Sequence, residues 1–149
     1  MLLNQNKNLM AKLILRLGFV FILFVIYRVF EGSLYEPFRN FYNAPNSGLK
    51  ISEVNFLSYA FGLILRFILN SAISLLGVYL IFRSKNYSLW AARTLIVTGL
   101  LLIPLYVWMC YSDFPLGATF AYNVRRILVF PIVFLVLLGS FYYDSKKNV

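Results

Sequence analysis

The chain contains no histidine, and its one cysteine is Cys110. Without histidine it cannot form Ser-His or Cys-His nucleophilic pairs or the commonest zinc sites. A single cysteine excludes an internal disulfide framework. As a nucleophile, Cys110 would need a base or a strong positive field to become a thiolate. We therefore interpret Cys110 as a small apolar residue near a helix end.

Acidic residues are also scarce, with five Asp and Glu against 14 Lys and Arg. The two aspartates, Asp113 and Asp144, are predicted on opposite sides of a membrane, which argues against an intramembrane aspartyl protease. No carboxylate falls in the middle of an apolar run, as a proton-coupled transporter would need. There is no glycine-rich phosphate loop. We predict that the chain is not an enzyme and has no cofactor or metal site.

Apolar residues make up most of the chain. Hydrophobic residues are 61% and aromatic residues 19%, while charged residues are 13%, about half the usual share for a soluble domain. So small a domain cannot bury this many apolar side chains, so lipid must cover them. The net charge of +9 comes from scattered cations that mostly flank apolar runs. This pattern indicates membrane topology and anionic-lipid contacts, and no nucleic-acid partner.

Four apolar stretches are each close to the ~20 residues that cross a bilayer. We predict an all-α membrane protein, in which residues 1–149 form a single four-transmembrane-helix bundle. Pro104 is a potential kink in the third span. The first stretch is followed by no small-x-small cleavage site, so we predict an uncleaved span and not a signal peptide. The predicted spans are at about 12–31, 56–82, 89–111 and 120–143, with an outer loop at about 32–55.

The positive residues of the short connections predict the topology. With four spans, all the basic groups at the termini and in the tight second link fall on one side, which should be the cytoplasm. We therefore expect both termini inside, in a bacterial inner membrane. These basic residues are Lys7, Lys12, Arg16, Arg83, Lys85, Lys146 and Lys147. The charged residues expected on the outer side are Glu31, Glu36, Arg39, Lys50, Glu53 and Asp113.

A polar stripe runs along the second predicted span. Arg66 lies about 15 Å into that helix, where an arginine costs roughly 2.5–3.5 kcal/mol to insert. Asn70 and Ser74 follow at helical spacing, and Gly62 and Gly77 extend the same face. Small and polar residues on one face favour packing against protein instead of lipid.

Two neighbouring arginines, Arg125 and Arg126, enter the fourth span from its outer side. Neighbours in a helix point about 100° apart, so these two cannot share one face. Two acidic residues are candidate ion-pair partners for these arginines. One is Asp113, in the short connection before the fourth span, and the other is Glu31, one helical turn after Arg28. The arginines either pair with these groups and lock the bundle, or leave a surplus of positive charge for an acidic partner, lipid or substrate.

Four segments together resemble a known family. They are residues 28–38 (RVFEGSLYEPF), 66–71 (RFILNS), 122–131 (YNVRRILVFP) and 139–143 (GSFYY). In order and spacing along nearly the whole chain, they resemble the exosortase F system-associated proteins, small membrane proteins encoded beside an exosortase. The resemblance implies a role beside a membrane-embedded cysteine transpeptidase that handles the sorting tails of exported proteins. That enzyme uses histidine, which this chain lacks.

The leading hypothesis is a non-catalytic accessory subunit that binds an exosortase or another inner-membrane protein and helps position a sorting tail or lipid-linked acceptor. An alternative is a lipid- or anion-binding or transport module that uses the arginines. An enzyme acting on lipid-linked substrates ranks last, because no acid–base pair is present. The candidate residues for a partner or lipid are Arg28, Glu31, Arg66, Asn70, Ser74, Arg125 and Arg126, and those for helix packing are Gly62 and Gly77.

Overall fold

The computed structural model describes residues 2–32, 55–112 and 114–147, and within these ranges the chain is helical with no strand. Nearly all of the predicted outer loop lies outside the described residues. The same holds for the predictions on Glu36, Arg39, Lys50, Glu53 and Asp113. The five helices are α1 (Leu2–Glu31), α2 (Phe56–Phe82), α3 (Lys85–Tyr111), α4 (Ala118–Val129) and α5 (Ile132–Lys147).

Three helices contain stretches long and apolar enough to cross a membrane, namely Ala11–Glu31, Leu57–Phe82 and Lys85–Tyr111. Helices α4 and α5 form one further candidate span only if the two are taken together. The described part of the chain is thus all-α, with three candidate spans or as many as four.

The bounds of α2 agree with the sequence prediction of 56–82. At its start, the Asn55 side chain accepts a hydrogen bond from the Ser58 amide at 3.2 Å, which caps one of the free helical N–H groups. At its end, Arg83 adopts a left-handed conformation with φ of 51°. Arg83 and Ser84 then connect directly to α3, which therefore begins at Lys85 and not near residue 89.

The fourth predicted span is not one continuous helix. The sequence predicts a helix over about 120–143, whereas the structure breaks it between Val129 and Ile132 and bends it by 60°. Phe130 is extended, with φ of −93° and ψ of 154°. A proline disfavours helical geometry in the residue before it, and Pro131 follows Phe130. The sequence prediction passed over this effect of Pro131.

Helix α2 is central and contacts each of the other four helices. Two groups of buried apolar residues hold the bundle together. The first, the α4 core, contains Tyr59, Leu63, Tyr106, Met109, Cys110, Ala121, Val124, Leu128 and Val129. The second, the α5 core, contains Val20, Val78, Ala91, Phe134 and Leu137.

The basic connections predicted from the sequence meet at one end of the bundle. The Tyr87 hydroxyl, near the start of α3, donates a hydrogen bond to Asp144 near the end of α5 at 3.0 Å. The Phe82 ring at the end of α2 lies 5.4 Å from the Tyr87 ring and 5.8 Å from the Phe141 ring. The end of α2, the start of α3 and the end of α5 therefore lie together, beside Arg83, Lys85, Lys146 and Lys147.

Most of the apolar surface faces outward. Only 11% of the most apolar stretch of α1 is buried inside the bundle, and the corresponding share is 28% in both α2 and α3. An exposed apolar surface of this extent is far greater than soluble monomers carry. A hydrocarbon environment would cover it, which agrees with the membrane assignment from composition.

Candidate functional site

The end of α1 packs against the middle of α2 through polar groups. The Tyr27 hydroxyl donates a hydrogen bond to the backbone oxygen of Arg66 at 3.2 Å. Glu31, one turn further along α1, lies with Oε1 3.7 Å from Arg66 Nε. The same carboxylate pairs with Arg28 of its own helix. Glu31, which the sequence suggested as an acidic partner, thus forms an ion pair with Arg28. It also links α1 to α2 through Arg66.

Two guanidinium groups, those of Arg28 and Arg66, lie within ion-pair distance of this single carboxylate. Arg125 of α4 joins Arg28 and Arg66, and the charges of both Glu31 and Arg28 act on it. Arg66 is 1% exposed, Glu31 4% and Arg125 8%. Among the described residues the one other acidic side chain is Asp144, which is bonded to Tyr87 at the basic end. We call Glu31, Arg28, Arg66 and Arg125 the charged cluster. It contains three positively charged side chains and one negatively charged side chain, so its formal net charge is positive.

The polar stripe of α2 lies inside this chain. Gly62, Arg66, Asn70 and Ser74 are all buried by neighbouring helices. The Ser74 hydroxyl donates to the backbone oxygen of Asn70 at 2.7 Å, so it satisfies itself within α2. Because the stripe is covered, it offers no surface to a second protein in this conformation.

Asn70 supports the break between α4 and α5. Its Nδ2 atom donates a hydrogen bond to the backbone oxygen of Phe130 at 3.1 Å. That oxygen belongs to the extended residue before Pro131, where the regular helical pattern is interrupted. The amide oxygen of Asn70 and the hydroxyl of Ser71 are buried and have no hydrogen-bond partner among the described residues. Asn70 therefore stabilises the bend through its amide nitrogen.

Two arginines at the surface lie against the same aromatic ring. The Arg28 guanidinium carbon lies 4.4 Å from the centre of the Phe130 ring, and that of Arg126 lies 5.7 Å from it. Arg126 also lies 5.7 Å from the Tyr122 ring. The Arg28 side chain is 51% exposed, and Arg126 is exposed. We call Arg28 and Arg126, the two exposed arginines that share the Phe130 ring, the outer arginine pair.

Arg125 and Arg126 thus point to different environments, as neighbours on a helix must. Arg125 is buried in the charged cluster, while Arg126 belongs to the outer arginine pair. The sequence analysis did not single out Phe130 or Tyr27. Tyr27 precedes Glu31 by four residues, so the two share a helix face, and that spacing is the signal that could have identified it.

The described residues can be compared with the sequence predictions about metal ligands and about Cys110. No group of three potential metal ligands occurs among the described residues. Cys110 is fully buried within the α4 core, as expected for a packing residue. The exposed guanidinium groups of Arg28 and Arg126 are chemically suited to bind an anion.

No protein-family model, no curated protein and no solved structure matches this chain. The resemblance to exosortase F system-associated proteins thus stays a prediction from the sequence segments. The charged cluster and the outer arginine pair carry the functional argument that follows.

Proposed function

We propose that this chain is a non-catalytic accessory subunit of a protein-sorting complex in a bacterial inner membrane. Its role is to hold an acidic group of another membrane component beside a partner protein of exosortase type. In this proposal α4 and α5 together form a fourth span, and both termini are cytoplasmic. The observation that carries the proposal is the outer arginine pair.

The outer arginine pair is unusual for a surface that otherwise faces lipid. Charged side chains within spanning segments are costly and normally pair with one another, face water or mark a functional site. Glu31 is buried and already contacts both Arg28 and Arg66. Arg126, by contrast, is an exposed cation next to two aromatic rings. An acidic group of another membrane component would neutralise this exposed cation.

Two further features support the accessory role. The family resemblance places such proteins beside an exosortase, which requires a histidine that this sequence does not contain. The basic ends of α2, α3 and α5 lie together, which favours a cytoplasmic location for that end under the positive-inside rule. The outer arginine pair would then lie toward the opposite face, where sorted proteins emerge.

Charge reversal at Arg126 should weaken recovery of the partner. Tagged wild-type protein is expected to co-purify with a second membrane protein in mild detergent, and Arg126→Glu should reduce that recovery on the order of tenfold at equal expression. Arg93→Glu is the matched control. Arg93 is also an exposed arginine beside an aromatic ring, 5.6 Å from Trp90, but lies on α3 near the basic end. The amount of partner protein recovered with the Arg93→Glu variant should stay close to the wild-type amount.

Quantitative mass spectrometry of the purified material measures both variants. Recovery of the wild-type protein with no second membrane protein would overturn the accessory role. In that case a lipid- or anion-binding module, the second candidate, takes first place.

A further inference from the structure

A long apolar trough lies between α1 and α5. Its volume is about 630 Å³, and all of its lining residues are apolar. Val20, Phe24 and Phe134 lie along it, with the Phe24 and Phe134 rings 5.5 Å apart. The walls include Leu17, Gly18 and Phe21 of α1, and Pro131, Leu135 and Leu138 at and after the bend.

The trough exists because of two local features. The 60° bend at Phe130 and Pro131 redirects α5, whose contacts with α2 and α3 leave one side open toward α1. Gly18 contributes no side chain, and a Cβ atom placed there would meet nothing within 4 Å. An ordinary side chain at position 18 would fill this space.

One end of the trough lies next to Phe130, the aromatic ring against which both Arg28 and Arg126 lie. A smaller cavity of about 250 Å³ is lined by Tyr27, Arg28 and Phe130, and it shares Phe24 and Pro131 with the trough. The two cavities are therefore neighbours, and we refer to them together as one groove. The groove is cationic at one end and apolar along the rest of its length.

We propose that this groove binds one anionic phospholipid, with its phosphate at Arg28 and Arg126 and one acyl chain in the trough. This inference rests on the proposed function and names the acidic group that the outer arginine pair holds. Guanidinium groups match phosphate oxygens in geometry as well as charge.

The dimensions favour a lipid chain over a protein helix. From Arg28 to Ile14 the groove follows α1 for about 21 Å, somewhat more than the ~15 Å of one leaflet's hydrocarbon. A transmembrane helix about 10 Å across and 30 Å long would occupy several times the volume of the trough. A free anion would use the arginines but leave the apolar trough unfilled.

Filling the trough tests the proposal. Purified full-length protein in detergent micelles is titrated with phosphatidylglycerol carrying a fluorescent acyl chain, with no partner protein present. Gly18→Phe should weaken binding at least about fivefold, because the ring occupies the acyl-chain space. Gly139→Phe is the matched control, since Gly139 is also an exposed helical glycine with nothing within 4 Å of its Cβ position and does not line the trough. It should bind as wild type does.

A second variant tests the cationic end without changing the trough. Arg126→Gln should weaken binding of phosphatidylglycerol but not of phosphatidylcholine, which has no net charge. Excess glycerol phosphate should fail to displace the labelled lipid, because it lacks the chain. Equal binding by wild type, Gly18→Phe and Gly139→Phe would overturn the proposal, as would full displacement by glycerol phosphate. Since no partner protein is present, loss of lipid binding and failure of the pull-down are separate outcomes.

Discussion

Replacement of Glu31 by glutamine is expected to destabilise the protein by about 3–5 kcal/mol, the usual cost of removing one partner from a buried ion pair. Glu31 is 4% exposed and is the carboxylate shared by Arg28 and Arg66. Its charge also acts on Arg125. Glutamine keeps the size of the side chain but leaves the buried guanidinium groups of the charged cluster to repel each other.

The measurement is the unfolding midpoint of the purified protein in detergent, followed by helical circular dichroism. Asp144→Asn serves as the matched control, because Asp144 is exposed and its hydrogen bond to Tyr87 lies at the surface. That substitution should cost at most about 1 kcal/mol. An equal loss of stability in the two variants would contradict the structural importance of the charged cluster.

A double variant separates lost charge balance from lost packing. Arg66→Met in the Glu31→Gln background removes one buried cation while keeping an unbranched apolar side chain. Replacement of a buried ion pair by apolar groups is often neutral, so the double variant should recover much of the stability that Glu31→Gln loses. If the double variant is less stable than either single variant, the two side chains contribute independently and the electrostatic explanation fails.

The ends of α2 could be predicted because charged or turn-forming residues interrupt a long apolar run. Asn55 and Arg83 lie immediately outside the predicted span, and the structure uses both as caps. Proline is less informative. Pro104 lies within the continuous helix α3, whereas Pro131 follows the break between α4 and α5. Spanning helices tolerate proline where neighbours satisfy the freed backbone groups, and the amide of Asn70 does this for Phe130.

The sequence indicated which charged residues form the site. It did not indicate which of them pair with one another across helices. The pairing of Arg28 with Glu31 follows from their separation of three residues on one helix. The contact of Glu31 with Arg66 depends on the position of α1 along α2. The periodicity of each helix does not determine the position of one helix relative to another. Likewise, the sequence indicates that Arg125 and Arg126 must diverge. Which one is buried depends on how α4 packs against α1 and α2.

Gly77 is a position where a larger side chain should clearly lower stability. A Cβ atom there would lie 2.8 Å from two ring carbons of Phe134 and 3.1 Å from Val20 Cγ1. Both neighbours belong to the α5 core, and both come from other helices. Gly77→Leu must therefore displace the Phe134 and Val20 side chains or move their helices away from α2, and we expect a loss of about 1–3 kcal/mol from overpacking.

Gly139→Leu provides the comparison that isolates this close approach. Gly139 is also helical, yet its Cβ position has open space, so leucine there should be neutral or stabilising by up to about 1 kcal/mol through helix propensity. Measured in the same detergent, the unfolding midpoint of Gly77→Leu should thus fall, while that of Gly139→Leu should stay at the wild-type value or rise. If both rise, Gly77 does not mark a three-helix contact. A fall confined to Gly77→Leu would show that α1 and α5 pack against α2 at Gly77, beside the trough that their separation creates.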